Sequence, residues 1–276
     1  MDGLARFVRD HPRLFVLSGA GISTGSGIPD YRDEQGRWKR KPPVTLQDFM
    51  RSASVRRRYW ARSMIGWPVI ANARPNAAHE ALARLEAAGH VHRLTTQNVD
   101  GLHQRAGSVD VVELHGSVAR VACLDCHAEV SRLSVQRMLE AANPEHSTLS
   151  ALTAPDGDAD LDLGDLDAFR VPDCTRCGGI LKPTVVFFGD GIPKERVAHT
   201  MEALEEADGM LVMGSSLMIY SRYRFCEHAH RMGKPIAAIN LGHTRADHLF
   251  HLKVERPCAD VLVDLVHRLI PARSAE

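Results

Sequence analysis

No apolar run in this chain approaches the roughly 20 residues that a membrane-spanning helix needs, which excludes that class of anchor. Excess charge is missing too: 34 Lys and Arg balance 34 Asp and Glu. No global field therefore draws the chain to nucleic acid or to an anionic membrane, and neither is expected as a partner. The first strand pattern begins at Arg13, which leaves no room for a secretory or transit leader, and a reducing cytoplasm is the expected compartment. Internal repeats are absent. What is present is 276 residues, enough for one large domain with a packed core and a smaller module.

Apolar, β-branched strand patterns recur at 13–18, 91–95, 111–114, 184–188, 209–214 and 236–240. Helical patterns run from Asn76 to Ala88, Lys194 to Ala207, Tyr220 to Met232 and Ala259 to Ile270. The alternation predicts an α/β fold, a parallel sheet with helices on both faces. Two segments break it. Residues 34–75, rich in Arg, Trp and Pro, read as a helical insertion, and residues 120–180, which hold two cysteine pairs, as a second insertion built on metal rather than on a large apolar core.

After the first strand, Leu14-Phe15-Val16-Leu17, comes Gly19-Ala20-Gly21-Ile22-Ser23-Thr24-Gly25-Ser26-Gly27-Ile28-Pro29-Asp30-Tyr31-Arg32-Asp33. Glycines here permit a tight turn and close approach to a pyrophosphate. Two absences separate this loop from a dehydrogenase fingerprint. Thr24 stands where the third glycine belongs, and Trp38-Lys39-Arg40-Lys41 stands where a ribose-binding acid belongs. The second strand runs into Thr95-Thr96-Gln97-Asn98-Val99-Asp100-Gly101, amides and a carboxylate at a strand's carboxyl end, where open α/β sheets bind ligands. His115 closes the next strand beside Gly116, a sterically open place for a general base. Gly214-Ser215-Ser216 and Asn240-Leu241-Gly242 are two more strand-end loops with small polar groups. Together these ends point to one shared dinucleotide crevice.

Cys123-Leu-Asp-Cys126 and Cys174-Thr-Arg-Cys177 match the paired knuckles of a tetrahedral zinc site. Four protein ligands leave no open position, so the metal is expected to be structural. The six aspartates between Asp156 and Asp167 do not make a calcium loop. Counting from Asp158, Leu163 sits where glycine is required and Phe169 where glutamate is.

Taken jointly, GAGISTGSGIPDYRD, TQNVDGLH, ELHG, the cysteine pairs, KPTVVFFGD, GSSL and the late NLG resemble the sirtuins, the NAD-dependent protein deacylases, over nearly the whole chain. The stretches Arg56 to Arg62, Gly66-Trp67-Pro68 and Ala154 to Asp158 look like the class II branch, which includes the mitochondrial sirtuin known for lipoamidase and ADP-ribosyltransferase activities. The resemblance implies a Rossmann-type NAD-binding part (1–33, 76–119 and 181–276), a helical insertion (34–75) and a zinc module (120–180). NAD+ and an acyl-lysine protein or peptide would meet in the cleft between them. Gly19, Ala20, Gly21, Ile22 and Ser23 would hold the pyrophosphate, and Gly214, Ser215, Ser216, Asn240, Leu241, Gly242 and Cys258 the adenosine half. Ile28, Asn98 and Asp100 would form the nicotinamide pocket under a mobile cover of Pro29, Asp30, Tyr31 and Arg32, with Gln97 and Val99 as further cofactor contacts. Val186, Phe187, Phe188 and Gly189 would pair with the substrate backbone. His115 would act as general base, with Asn98 and Asp100 beside it, so that the acyl group passes to ADP-ribose. ADP-ribosyl transfer to protein and lipoamidase action are the alternatives within the same chemistry. Tyr59-x-x-Arg62 resembles the pair that other sirtuins use for acidic acyl chains, since an arginine fork suits a carboxylate.

Overall fold

The computed structural model describes residues 2–39, 43–146 and 166–270. Ala154 to Asp158, most of the aspartate run, and Arg40 and Lys41 lie outside the described residues. In chain order the elements are α1 (Asp2–Asp10), β1 (Leu14–Ser18), α2 (Leu46–Arg51), α3 (Ala53–Asn72), α4 (Ala77–Ala87), β2 (Val91–Thr96), α5 (Leu102–Arg105) and β3 (Val111–Glu113). Next come β4 (Arg120–Cys123), β5 (Glu129–Ser131), α6 (Arg132–Ala142) and β6 (Leu181–Pro183). The chain then returns through α7 (Lys194–Glu206), β7 (Gly209–Met213), α8 (Tyr220–Arg231), β8 (Ile236–Ile239), β9 (Leu252–Val254) and α9 (Cys258–Leu269).

Six strands form a parallel sheet in the order β3-β2-β1-β7-β8-β9. Side chains alternate across a strand, and here each face has its own core. Leu14, Val16, Leu211, Met213 and Ile239 pack with α1, α4 and α9. Phe15, Leu17, Met210, Val212 and Ile236 pack with residues of α7 and α8 such as Leu204 and Phe225. Both faces are covered, which is why β1 is buried at all five positions and reads as a continuous apolar run. From β1 the chain builds outward to β2 and β3, then returns to the other side of β1 as β7. The carboxyl ends of β1 and β7 therefore feed loops that leave in opposite senses, the topological switch point at which such sheets bind ligands.

The two insertions differ from expectation in instructive ways. Residues 46–72 are helical as predicted, and Ser52 separates α2 from α3 by capping the latter through Val55 N–H. The cysteine-bearing insertion has a three-stranded antiparallel sheet, β5-β4-β6, and it does own apolar substance. Val121, Val135, Leu139 and Leu181 share one core with Phe49, Tyr59, Trp60 and Phe187 from outside it. Leu181–Pro183 pairs with β4, so the small sheet extends past the predicted boundary at 180. The predicted strand at 184–188 joins neither sheet; it is an extended crossing segment. Val186 N–H donates to His115 O at 2.9 Å, and Phe188 forms a single bridge with Thr45. Lying between two sheets, it has no neighbour long enough for a ladder. The edge strand β9 went unread because three residues carry no period.

Candidate active site

The glycine loop is shaped first by packing against the loop after β7. Gly19 N–H donates to Met213 O, and Gly21 N–H to Gly214 O, each at 2.9 Å. A Cβ on Gly21 would lie 2.9 Å from Gly214 Cα, and one on Gly214 would lie 2.5 Å from Ile22 N. Gly214 also has φ +57, a region costly for residues with a side chain. These are backbone collisions with no flexible end to yield. Gly21→Ala is thus expected to destabilise the protein by about 1–3 kcal/mol, read from the urea midpoint, and to weaken nucleotide binding.

Beneath this loop lies a closed polar network. Ser23 Oγ–H donates to Asp100 Oδ2 at 2.8 Å and accepts from Asn98 Nδ2 at 3.0 Å, while Asn98 Nδ2 also reaches Gly19 O at 3.2 Å. Asp100 Oδ1 accepts Leu102 N–H, at the first residue of α5, at 2.9 Å. Burial pushes the Asp100 carboxyl up, against the hydrogen bonds from Leu102 and Ser23 that pull it down. Gln97 exchanges hydrogen bonds with Ser215 Oγ, tying the β2 end to the β7 end.

His115 Nδ1–H donates to Gln97 O at 2.9 Å. That bond fixes the tautomer and leaves Nε2 as the basic nitrogen. Burial, with Arg222 as the next cause, pushes the imidazole down to about 3. It is therefore neutral in the physiological range, with the Nε2 lone pair free.

Two further histidines are buried below the network. His79 Nδ1 accepts Asn76 N–H at 3.3 Å in the cap of α4, and His103 Nε2 meets Ser18 Oγ at 2.8 Å. Their rings stand 4.9 Å apart. Burial holds His79 at about 4 and His103 at about 3, the latter also lowered by His79. In the unfolded chain both take up protons below about pH 6.5. The unfolded state then binds more protons, so stability is complete above that pH and falls on acidification towards pH 4. Each should cost about 1.4 kcal/mol per pH unit within that window, seen as a falling urea midpoint from pH 7 to pH 5. A His79→Gln, His103→Gln variant should show a flatter dependence.

These groups border two adjoining cavities. The first, of about 380 Å³, is lined by Ala20, Ser23, Ile28 and Tyr31 from the glycine loop and by Gln97, Asn98, Val99, Asp100 and His115. Val186 to Gly189 and Tyr59 close its far side. The second, of about 360 Å³, takes Ala20, Gly21, Ile22, Asp30, Tyr31 and Arg32 on one wall, with Gly214, Ser215, Ser216, Asn240, Leu241 and Cys258 on the other. Gly19, Pro29, Gly242 and Arg62 line neither. Gly19 and Gly242 instead let loops approach: a Cβ on Gly242 would meet Glu34 O at 2.3 Å, where the cover segment docks. The cover folds back on itself through an Arg32–Trp38 bridge, and Trp38 packs on Phe188 with ring centres 5.6 Å apart. Sequence reading missed Ile219, Ser221, Arg222 and Arg224 in the first cavity, and Asn76, His243 and Arg256 in the second. The first four belong to the entry of α8, where the helical period masks the fact that the first turn faces the crevice.

The cysteines form a separate centre. Cys123 and Cys177 Sγ are 3.5 Å apart, Cys126 and Cys174 Sγ 3.7 Å, and all four lie within 4.8 Å of one another. A tetrahedron with zinc–sulfur bonds of about 2.3 Å has edges of about 3.8 Å, so the donor set fits zinc. Each pair ends in a left-handed residue, His127 (φ 57) and Gly178 (φ 74), which makes two matching knuckles.

Fold and site together define a Rossmann-type nucleotide-binding enzyme with a four-cysteine module set apart from its polar crevice. The comparisons with known proteins sharpen this. The Sir2 family pattern matches residues 19–221, and the chain belongs to that family. It is 57% identical over 266 residues to an NAD-dependent protein deacetylase of Bordetella bronchiseptica, covering 96% of this chain and 97% of that one. A protein of the same name from Xanthomonas campestris pv. campestris is 56% identical over 272 residues, covering 99% and 93%. Among solved structures, Sir2 with a p53 peptide and NAD+ superposes with a TM-score of 0.79 at 28% identity, over 97% of each chain. Sir2 bound to an acetylated peptide gives 0.77 at 27% identity, again over 97% of each.

Proposed function

We propose that this protein is an NAD-dependent lysine deacylase that passes the acyl group of a substrate lysine to ADP-ribose. The observation that carries the reading is His115, a neutral imidazole anchored through Nδ1 on Gln97 O in the wall of the first cavity. NAD, when bound, supplies a ribose carbon that becomes electrophilic as nicotinamide leaves. Asn98 and Asp100 recognise the carboxamide from the fixed network with Ser23. With NAD bound, the acyl oxygen of the substrate would lie against that carbon, and His115 Nε2 would accept a proton from a ribose hydroxyl, whose oxygen could then take the acyl group as the lysine amine leaves and water restores the acyl carbonyl. Val186 to Gly189 offers main chain to the substrate peptide, by strand addition. The four-cysteine centre would hold zinc as a structural ion, with no open position for catalysis.

The acyl end of the first cavity is bordered by Val185, Phe187, Tyr59 and Ile192, which suits a short apolar acyl group such as acetyl. An acidic acyl chain is the second reading; Tyr59 lines the cavity, but Arg62 would have to turn towards it. Incubation with NAD and acetyl-lysine or glutaryl-lysine peptides tests both levels. Nicotinamide should appear one for one with free lysine, and acetyl-lysine should be preferred. Arg62→Ala should affect the two peptides equally; a selective loss on glutaryl-lysine would favour the acidic reading. Nicotinamide release without peptide would identify an NAD hydrolase instead. ADP-ribosyl transfer to protein and lipoamidase action remain side activities of this chemistry, tested by the masses of the products.

A further inference from the structure

Arg222, in the first turn of α8, lines both cavities. The other cations around the second cavity are engaged. Lys39 pairs with Asp30, Arg256 with Asp264 at 3.5 Å, and Arg32 donates to Gly36 O at 2.7 Å while its guanidinium lies 4.0 Å from the Trp38 ring centre. Arg222 has no such arrangement. Its Nε is buried with no hydrogen-bond partner, and among the described residues no carboxylate forms an ion pair with it. A half-buried guanidinium with an unsatisfied Nε–H and no carboxylate partner carries a cost, which a bound anion would offset.

Its neighbours restrict which anion this can be. The second cavity is also lined by Ala20, Gly21, Gly214 and Ser215, the backbone that would cradle a diphosphate, and by Tyr31 and Arg32 of the cover segment. We infer that Arg222 binds the diphosphate of NAD and, with Arg32 on the cover segment, clamps it from two sides. This rests on the NAD-dependent reading above. Burial, opposed by Tyr31 and aided by Arg32, lowers Arg222 to about 10. The two guanidiniums repel one another, and a dianion between them would turn repulsion into closure. Arg222 is thus a positioning residue for the ADP-ribose half, whose diphosphate carries the negative charge.

Calorimetric titration with ADP-ribose tests the clamp without turnover. Arg222→Ala should raise Kd about tenfold or more, the loss expected for a hydrogen bond to a charged group, and flatten the dependence of Kd on salt. Arg222→Lys should recover part of the affinity, and the unliganded melting temperature of either variant should not fall. Unchanged ADP-ribose affinity in Arg222→Ala, with normal binding by the parent, overturns the clamp and leaves the NAD reading standing. A rise in KM for glutaryl-lysine peptide at unchanged ADP-ribose affinity also overturns it, by assigning Arg222 to an acyl carboxylate. If the parent itself fails to bind ADP-ribose, the clamp fails with the NAD reading.

Discussion

Replacing His115 by alanine should lower turnover of an acetyl-lysine peptide by about 10²–10⁴-fold, the range attributed to a positioned general base. ADP-ribose affinity should be nearly unchanged. The separation follows from where the residue stands. His115 belongs to the wall of the first cavity and is not among the residues lining the second. Its imidazole is anchored on Gln97 O, and the loop interlock between Gly21 and Gly214 does not involve it. His115→Asn distinguishes base from scaffold. Its amide could still donate to Gln97 O, but it has no basic nitrogen, so the same loss is expected. If His115→Asn retained activity near that of the parent, the imidazole would be acting as a spacer.

Removing metal from the cysteine centre should have an effect of similar size by another route. Structural zinc contributes roughly 10–16 kcal/mol of apparent binding energy in small zinc folds, comparable to the 5–15 kcal/mol that holds a whole domain together. The small sheet has three short strands, and Cys123 and Cys174 sit in the same core as Tyr59, Val185 and Phe187. Loss of the knuckles would loosen the wall on which substrate is proposed to lie. The parallel sheet has two cores of its own and should survive. Chelation, or Cys126→Ala, should therefore abolish deacylation in step with zinc release, measured by a colorimetric dye. ADP-ribose should still bind. Full activity in a zinc-free preparation would contradict the structural role.

Much of this was legible in the sequence because the signals are local. The strand-end loops at 19–21, 97–100, 214–216 and 240–242 each follow an apolar run, and the parallel sheet brings their ends together. The cysteine pairs declare their chemistry by spacing alone. What escaped reading depends on long-range packing. Buried Arg132 looks like a surface charge in sequence, yet it donates to Ser63 and Gln136 and lies over the rings of Trp60 and Trp67, binding α6 to α3. That contact is why the metal-bearing insertion is not an isolated knuckle. Residues 184–188 have strand composition but cross between sheets, so composition misleads there. Arg222 is concealed in a helical pattern. Nothing in the sequence marks His79 and His103; only the fold brings them together under Ser23 and Ser18.

The central claim is that cleavage of NAD is coupled to transfer of the acyl group. Mass spectrometry of the small-molecule products from NAD and an acetyl-lysine peptide tests it most directly. The account predicts that O-acetyl-ADP-ribose forms in equal amount to nicotinamide and to free lysine peptide. Free acetate with intact NAD, or a peptide that has gained ADP-ribose while keeping its acetyl group, would contradict it.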